Sequence, residues 1–255
     1  MSGMPSAFAS VVQRRGRFAA AEDLGCPDPA QHGRVRLIAA SPSDTQDYIS
    51  SASMSLDEFL NFDQEIGIAE WVRGTTYLYG SVTSIHQQTV GFISTLASMI
   101  LGLHHSGRVS GAKYAVVSTS RDAAREPDVF FVAARHAERM TLRYFDGAPD
   151  LVVEVVSDDS VERDYVTKFR EYEAEGYPEY WIIDPRPGHE RADFYVLTNG
   201  RYAARLPDAD GVYTSAVFPD VKFKVVWLFE ETPPLAEALK LARGDRLAFN
   251  PGSST

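Results

Sequence analysis

Between Leu151 and Ser157 the chain reads Leu-Val-Val-Glu-Val-Val-Ser, apolar at five of its first six positions. Side chains alternate across a strand, so a run without polar alternation describes a strand covered on both faces. Glu179-Tyr-Trp-Ile-Ile-Asp184 reads as a second core strand, stopped by Pro185-Arg-Pro187-Gly188. Between them, Ser160 to Glu175 is predicted as a helix closed by Gly176-Tyr-Pro178. Sheets buried on both sides by helices are the α/β solution.

The flanking segments fit that outline. Ser55-Leu-Asp-Glu58 matches a capping box, with a hydroxyl at the helix start and a carboxylate three residues on, and predicts a short helix to about Phe62. Ile68–Gly74 and Thr75–Gly80 read as paired strands around Arg73-Gly74. From Ser84 to Leu103 the residues Ile85, Thr89, Ile93, Leu96, Ile100 and Leu103 recur at three and four, the stripe of an amphipathic helix, with Gly107 as its C-terminal cap. Strands are expected at Tyr114–Thr119, Asp128–Ala133, Ala192–Leu197, Arg201–Leu206 and Val212–Phe218, with turns at Asn199-Gly200 and Asp210-Gly211. A last helix runs from Leu235 to Ala242. The expected fold is α/β, one mixed β-sheet flanked by helices with a C-terminal strand meander. Residues 1–50 read as a poorly anchored leader with one strand-like run at Arg34–Ala39, residues 51–245 as the domain, and 246–255 as a tail.

Composition narrows the function classes. An apolar fraction of 44% and an aromatic fraction of 11% exclude a disordered chain. No stretch approaches about 18 consecutive apolar residues, so no membrane span is expected. Met1 to Ala20 has no continuous apolar core behind its charges and makes a poor signal peptide, and a cytoplasmic location is the default. Cys26 is the one cysteine, which excludes an intramolecular disulfide framework and a cysteine-built zinc site. With 25 Lys and Arg against 35 Asp and Glu, the net charge of −10 argues against a generic nucleic-acid coat protein. The charge is uneven: Leu101–Phe145 holds seven basic and four acidic residues, Asp146–Pro185 three basic and twelve acidic. An acidic segment of that kind is either a solvated face or gathers some of its carboxylates around a metal.

Glu154 is the most informative of these acids. A carboxylate inside an apolar strand costs several kcal/mol to desolvate unless it is paired, protonated or bound to a cation. Either a salt-bridged or edge-exposed glutamate or a metal ligand satisfies that condition. Pro127-Asp128 opens a second apolar strand, and if the two strands lie adjacent in one sheet Asp128 comes near Glu154. Two neighbouring carboxylates repel unless a hard divalent cation lies between them. Magnesium takes oxygen ligands and keeps several waters, so two or three carboxylates suffice. Lys168 shares a helix face with Val161, Tyr165, Phe169 and Tyr172, four residues after Asp164. It reads equally as a snorkelling stem, as an ordinary i,i+4 ion pair, or as a cation reaching over the carboxylates to hold a water or stabilise developing negative charge. Glu70, in Ile-Ala-Glu-Trp-Val, is a fourth acid at the site or an edge-strand charge. Of the six histidines none has HExxH spacing, and only His86, in the first turn of the long helix, is kept as a site candidate. Phosphate-cradling glycine loops and the Gly-x-Ser-x-Gly elbow are absent.

The order of these motifs resembles the Uma-type family of restriction endonucleases. The resemblance runs through Glu70-Trp-Val-Arg-Gly74, His86 opening a long helix, and Pro127-Asp-Val-Phe-Phe-Val132. It continues through Pro149-Asp-Leu-Val-Val-Glu-Val-Val-Ser157, Arg163-Asp164, Lys168, Tyr172, Gly176 and Glu179-Tyr-Trp-Ile-Ile-Asp-Pro185, and closes at Phe218-Pro-Asp220. It covers roughly Met54 to Glu230. It implies a PD-(D/E)XK nuclease fold, with Asp128 and Glu154 as metal ligands and Glu70 as the accessory acid. That superfamily usually places a lysine two residues after the second acid, where this chain has Val156, and Lys168 matches the helix-borne lysine of the family. The chain departs from the family at Arg73-Gly74-Thr75, where Asp-Gly-Glu is common, and at Asp220, where glycine is usual.

Together these readings predict a magnesium-dependent DNA endonuclease (manganese as a substitute metal) that acts as a homodimer. Asp128, Glu154, Glu70 and Lys168 are its catalytic residues, and the first three hold the metal. A basic face built from the Leu101–Phe145 stretch with Arg163, Lys168 and Arg170 would meet the phosphates. The rivals are a catalytically inactive nucleic-acid-binding or regulatory protein that keeps the fold, and an enzyme acting on another phosphate ester.

Overall fold

The computed structural model describes residues 37–38, 50–61, 68–80, 82–118 and 120–244. Met1–Ala20 and the tail at 246–255 lie outside them, as does most of the 1–50 leader. The chain forms two compact units.

The first unit is drawn from Met1–Ser81, Ala112–Glu126 and Arg139–Gly147. It is built on β1 (Leu37–Ile38), β2 (Ser50–Ser53), helix α1 (Leu56–Leu60), β3 (Ala69–Val72), β4 (Thr75–Leu78), and the later strands Ala115–Ser118, Ala123–Arg125 and Tyr144–Asp146. β1, the strand-like run of the leader, pairs antiparallel with β2. The capping box at α1 forms both of its bonds, Glu58 N–H to Ser55 Oγ and Ser55 N–H to the Glu58 carboxylate. The β3–β4 turn has φ 48° at Arg73 and 83° at Gly74, both left-handed, as a two-residue hairpin requires. Trp71, Met54, Phe59 and Val117 fill a small core of this unit, and the Trp71 indole donates to the Met54 carbonyl at 2.7 Å.

The second unit takes Val82–Gly111, Pro127–Glu138 and Ala148–Thr255. In chain order it contributes helix α2 (Ser84–His104) and β5 (Gly107–Gly111). With β6 (Ala115–Ser118) and β7 (Ala123–Arg125) belonging to the first unit, β8 (Val129–Ala133) is its next strand. After β9 (Tyr144–Asp146), again of the first unit, come β10 (Leu151–Val155), helix α3 (Phe169–Glu175), β11 (Glu179–Asp184), β12 (Arg191–Thr198) and β13 (Arg201–Ala204). The unit ends with β14 (Val212–Thr214), β15 (Lys222–Lys224) and helix α4 (Leu235–Arg243). Its main sheet has the order β13-β12-β11-β10-β8-β5, with β10 and β11 parallel and the other pairs antiparallel. Leu151, Val153 and Val155 face the core made with Phe92, Ile93, Leu96 and Ile100 of α2. Val152 and Glu154 face the opposite side, where α3 lies. Every residue of β10 is buried, as its composition requires.

Five readings need correction. The strands divide between two large mixed sheets and the two-stranded β14–β15 pair rather than one sheet, because periodicity marks strands without saying which ones hydrogen-bond. The meander continues the second sheet only through β12 and β13; β14 turns away to β15. The cap of α2 is His105 at φ 50°, while Gly107 opens β5, where a Cβ would come within 2.5 Å of the Val132 carbonyl oxygen. Leu103, placed on the buried stripe, is 61% exposed. The helix expected from Ser160 is also not uniform: Arg163–Lys168 is a π-helical turn leading into α3.

Candidate active site

β8 and β10 run antiparallel with Val129 opposite Val153, so one further step in the same register brings Asp128 opposite Glu154. Pro127 ends the preceding segment, and Asp128 stands just ahead of β8 rather than inside it. Its Oδ2 accepts the Val155 N–H at 2.7 Å and lies 3.3 Å from His86 Nε2. His86 comes from the first turn of α2, started by the Thr83 side chain accepting the His86 N–H. Gly111 of β5 also packs on this point: a Cβ there would collide with the Asp128 carbonyl.

Glu154 projects from mid-strand and is 2% exposed. Lys168 Nζ sits 3.0 Å from its Oε2 and 3.6 Å from Asp164 Oδ1. The Tyr172 hydroxyl donates to Glu154 Oε1 at 2.8 Å. The Lys168 ammonium is therefore buried between two carboxylates, not snorkelling, and Lys168 is not part of an exposed basic face. Burial pushes the Asp164 carboxyl above its usual range; Lys168 and Arg163 oppose the rise, and the Asp128 charge adds to it. Tyr180, whose hydroxyl donates to the Asp164 carbonyl at 3.0 Å, is likewise raised by burial and then by Asp164 and Glu154.

The other buried acids of this unit are satisfied by dedicated donors. Glu179 accepts from the Trp181 indole, the Tyr213 and Ser215 hydroxyls and the Val217 N–H. Asp150 accepts from the Ala133 N–H and pairs with Arg135 and His136. Asp184 is held bidentately by Arg186. By contrast, Glu154 and Asp164 share one buried ammonium, that of Lys168, while Asp128, opposite Glu154, is held by the Val155 N–H and lies against His86. Among the described residues no three or more His, Cys, Asp or Glu side chains are arranged to hold a metal ion. The donor chemistry fits a hard divalent cation through Asp128 and Glu154 alone, because magnesium completes its shell with waters and substrate oxygens.

The structure thus brings Asp128, Glu154 and Lys168 together, with His86 and Asp164 against them. Glu70 belongs to the first unit, where it is fully buried, paired with the Arg125 guanidinium and bonded by the Tyr79 hydroxyl at 3.2 Å. Arg125, counted toward the basic stretch, is therefore also buried. Sequence pattern alone does not mark Tyr172 or Tyr180 as site residues. The available signal was position, since Tyr172 follows Lys168 by four on the same helix face.

A model of the family Uma2, described as “Putative restriction endonuclease”, matches residues 56–225. Among solved structures the chain is similar to a protein of Anabaena variabilis described as “a putative nuclease belonging to DUF820”. The two are 16% identical, with a TM-score of 0.58, over 69% of this chain and 97% of that one. No curated protein sequence matches. No helix among the described residues is long and apolar enough to cross a membrane.

Proposed function

The chain belongs to the Uma2 family of restriction-endonuclease type, and from that membership we propose that it is a divalent-metal-dependent endonuclease hydrolysing phosphodiester bonds of DNA. Family and fold support a nuclease function. The observation that carries the finer reading is the buried set of Asp128, Glu154 and Asp164 with Lys168 as the one buried ammonium among them.

In this reading Asp128 and Glu154 hold Mg²⁺ or Mn²⁺. When bound, the ion supplies Lewis-acid neutralisation of the phosphate and a water of lowered pKa. Lys168 offsets charge that grows on the phosphate oxygens and orients the attacking water. Asp164 holds the ammonium from one side, and His86 with the Val155 N–H fixes the Asp128 carboxylate. Glu70 keeps the place of accessory acid as a separate arm of the test. A homodimer offering one such set to each strand suits a duplex substrate.

Plasmid nicking with Mg²⁺ or Mn²⁺ against EDTA, beside a DNA shift assay, tests the activity; sedimentation of the active species tests the dimer. Metal-dependent nicking is expected. Asp128→Ala and Glu154→Ala are expected to lose Mn²⁺ binding and nicking together. Lys168→Ala should keep the metal and lose rate by roughly 10²–10³-fold, as for other preorganised charge-stabilising groups. Glu70→Gln lowers Mn²⁺ affinity if Glu70 is the accessory acid and leaves it unchanged if Glu70 is structural. A DNA shift without cutting under any metal would favour the inactive binding protein instead.

A further inference from the structure

We propose that Tyr172 is a positioning residue of the site, its hydroxyl setting the orientation of the Glu154 carboxylate, and that Tyr180 does the same for the turn carrying Asp164 and Lys168. The proposal deepens the nuclease reading and rests on it for the catalytic consequence, though not for the geometry.

Burying a hydroxyl costs free energy that burying a phenyl ring does not, unless the hydroxyl finds a partner. Tyr172 and Tyr180 are 1% and 0% exposed, and in each case the partner is a piece of the site. The Tyr172 ring is stacked on Tyr177, with centroids 4.4 Å apart, and meets Tyr180 edge-on at 5.1 Å. Packing on two sides leaves the ring little rotamer freedom, so its hydroxyl is a fixed donor. It takes Glu154 Oε1, and Lys168 takes Oε2. Each of these contacts restrains the carboxylate plane, and losing the Tyr172 bond removes one restraint on the last torsion of the glutamate, which is soft.

The Tyr180 contact has a different origin. A π-helical turn replaces i→i+4 bonds by i→i+5 bonds, so the ladder is interrupted where the turn begins. Asp164 is in that turn, and its carbonyl accepts the Tyr180 hydroxyl at 3.0 Å. Tyr180 stands on β11, where the strand register places it opposite Val152, two residues from Glu154. The strand that flanks the carboxylate therefore also pins the turn that brings Lys168 to it.

The test uses Tyr172→Phe and Tyr180→Phe in the full chain, with Tyr195→Phe, in the same aromatic cluster against Phe169, as control. Three readouts apply: Mn²⁺ titration calorimetry, kcat and KM for plasmid nicking, and a crystal structure of Tyr172→Phe. Partners that orient metal ligands are worth roughly 10–100-fold in affinity or activity. Tyr172→Phe is expected to weaken Mn²⁺ binding and lower kcat within that range, with KM for DNA unchanged and the Glu154 carboxylate rotated. Tyr180→Phe is expected to lower kcat with Mn²⁺ affinity kept. A folded Tyr172→Phe with the carboxylate in place and Mn²⁺ affinity unchanged overturns the proposal for Tyr172. If Tyr172→Phe does not fold, full activity in Tyr180→Phe overturns it for the turn, and lost rate with intact metal affinity supports it. If the wild type neither binds Mn²⁺ nor cuts, the nuclease reading falls, and the rotation of Glu154 in the Tyr172→Phe crystal still decides the positioning role.

Discussion

The Lys168–Glu154 pair, 3.0 Å apart and nearly free of solvent, balances two desolvation costs against one attraction. Removing one member of such a pair takes away the other's counter-charge in a buried place, which typically costs about 3–5 kcal/mol. Lys168→Met is therefore expected to lower the unfolding free energy of the metal-free protein, measured by urea titration, by that order. Added Mg²⁺ should recover more stability in this variant than in the wild type, because a cation at Glu154 would replace the missing ammonium. Equal gains in both proteins would argue against Glu154 as a ligand. The pair was partly legible beforehand. Glu154 is conspicuous because a charge in an apolar run violates the strand's own pattern. Tyr172 violates nothing: an aromatic on the apolar face of a helix is ordinary core until a structure shows where its hydroxyl points.

At the scale of elements, β11 ties the C-terminal strands to the sheet through one residue. Glu179 opens the strand, and its two oxygens collect four donors, three of them from the segment Tyr213–Val217 or its hydroxyls. Glu179→Ala leaves those donors, most of them buried, without their acceptor, and each unsatisfied buried group costs about 1–3 kcal/mol. The expected result in chemical denaturation is a loss of several kcal/mol, with Glu179→Gln losing less because it keeps two acceptor positions. An unchanged midpoint would mean that the β14 segment is held by its packing alone. The strands and helices were mostly legible from alternation and caps. The π-helical turn was not, since Asp164 and Lys168 are four apart in either kind of helix and the same stripe of apolar residues serves both.

For the whole molecule the pH response follows from buried phenols. Burial, with carboxylates near each, raises the hydroxyls of Tyr180, Tyr202 and Tyr213 above their ordinary value of 10.0. In the unfolded chain these groups ionise near that ordinary value, so above it the unfolded state loses protons that the folded state keeps. Stability is then full below about pH 10 and falls as pH rises beyond it. Melting temperatures measured from pH 8 to 11 should decline at the alkaline end, and less steeply in Tyr202→Phe. A flat profile would mean that these hydroxyls reach solvent. The net charge of −10 adds self-repulsion but is already present at neutral pH.

Alternation, caps and spacing are local properties, so the sequence by itself determined the α/β class, the doubly buried strand at Leu151–Val155, the hairpin turn at Arg73-Gly74, and the anomaly of Glu154. Asp128 and Lys168 could be nominated with it because each sits at a fixed offset on its own element. Which strands share a sheet depends on long-range hydrogen bonding that no local pattern encodes. Only the tertiary structure could therefore divide the strands between two sheets and set Asp128 opposite Glu154. It also decided which charges are neutralised: Lys168 is buried against two carboxylates, while Arg125 is spent on Glu70. A side chain's charge can be read from its letter, but its free energy depends on what surrounds it once water has been removed.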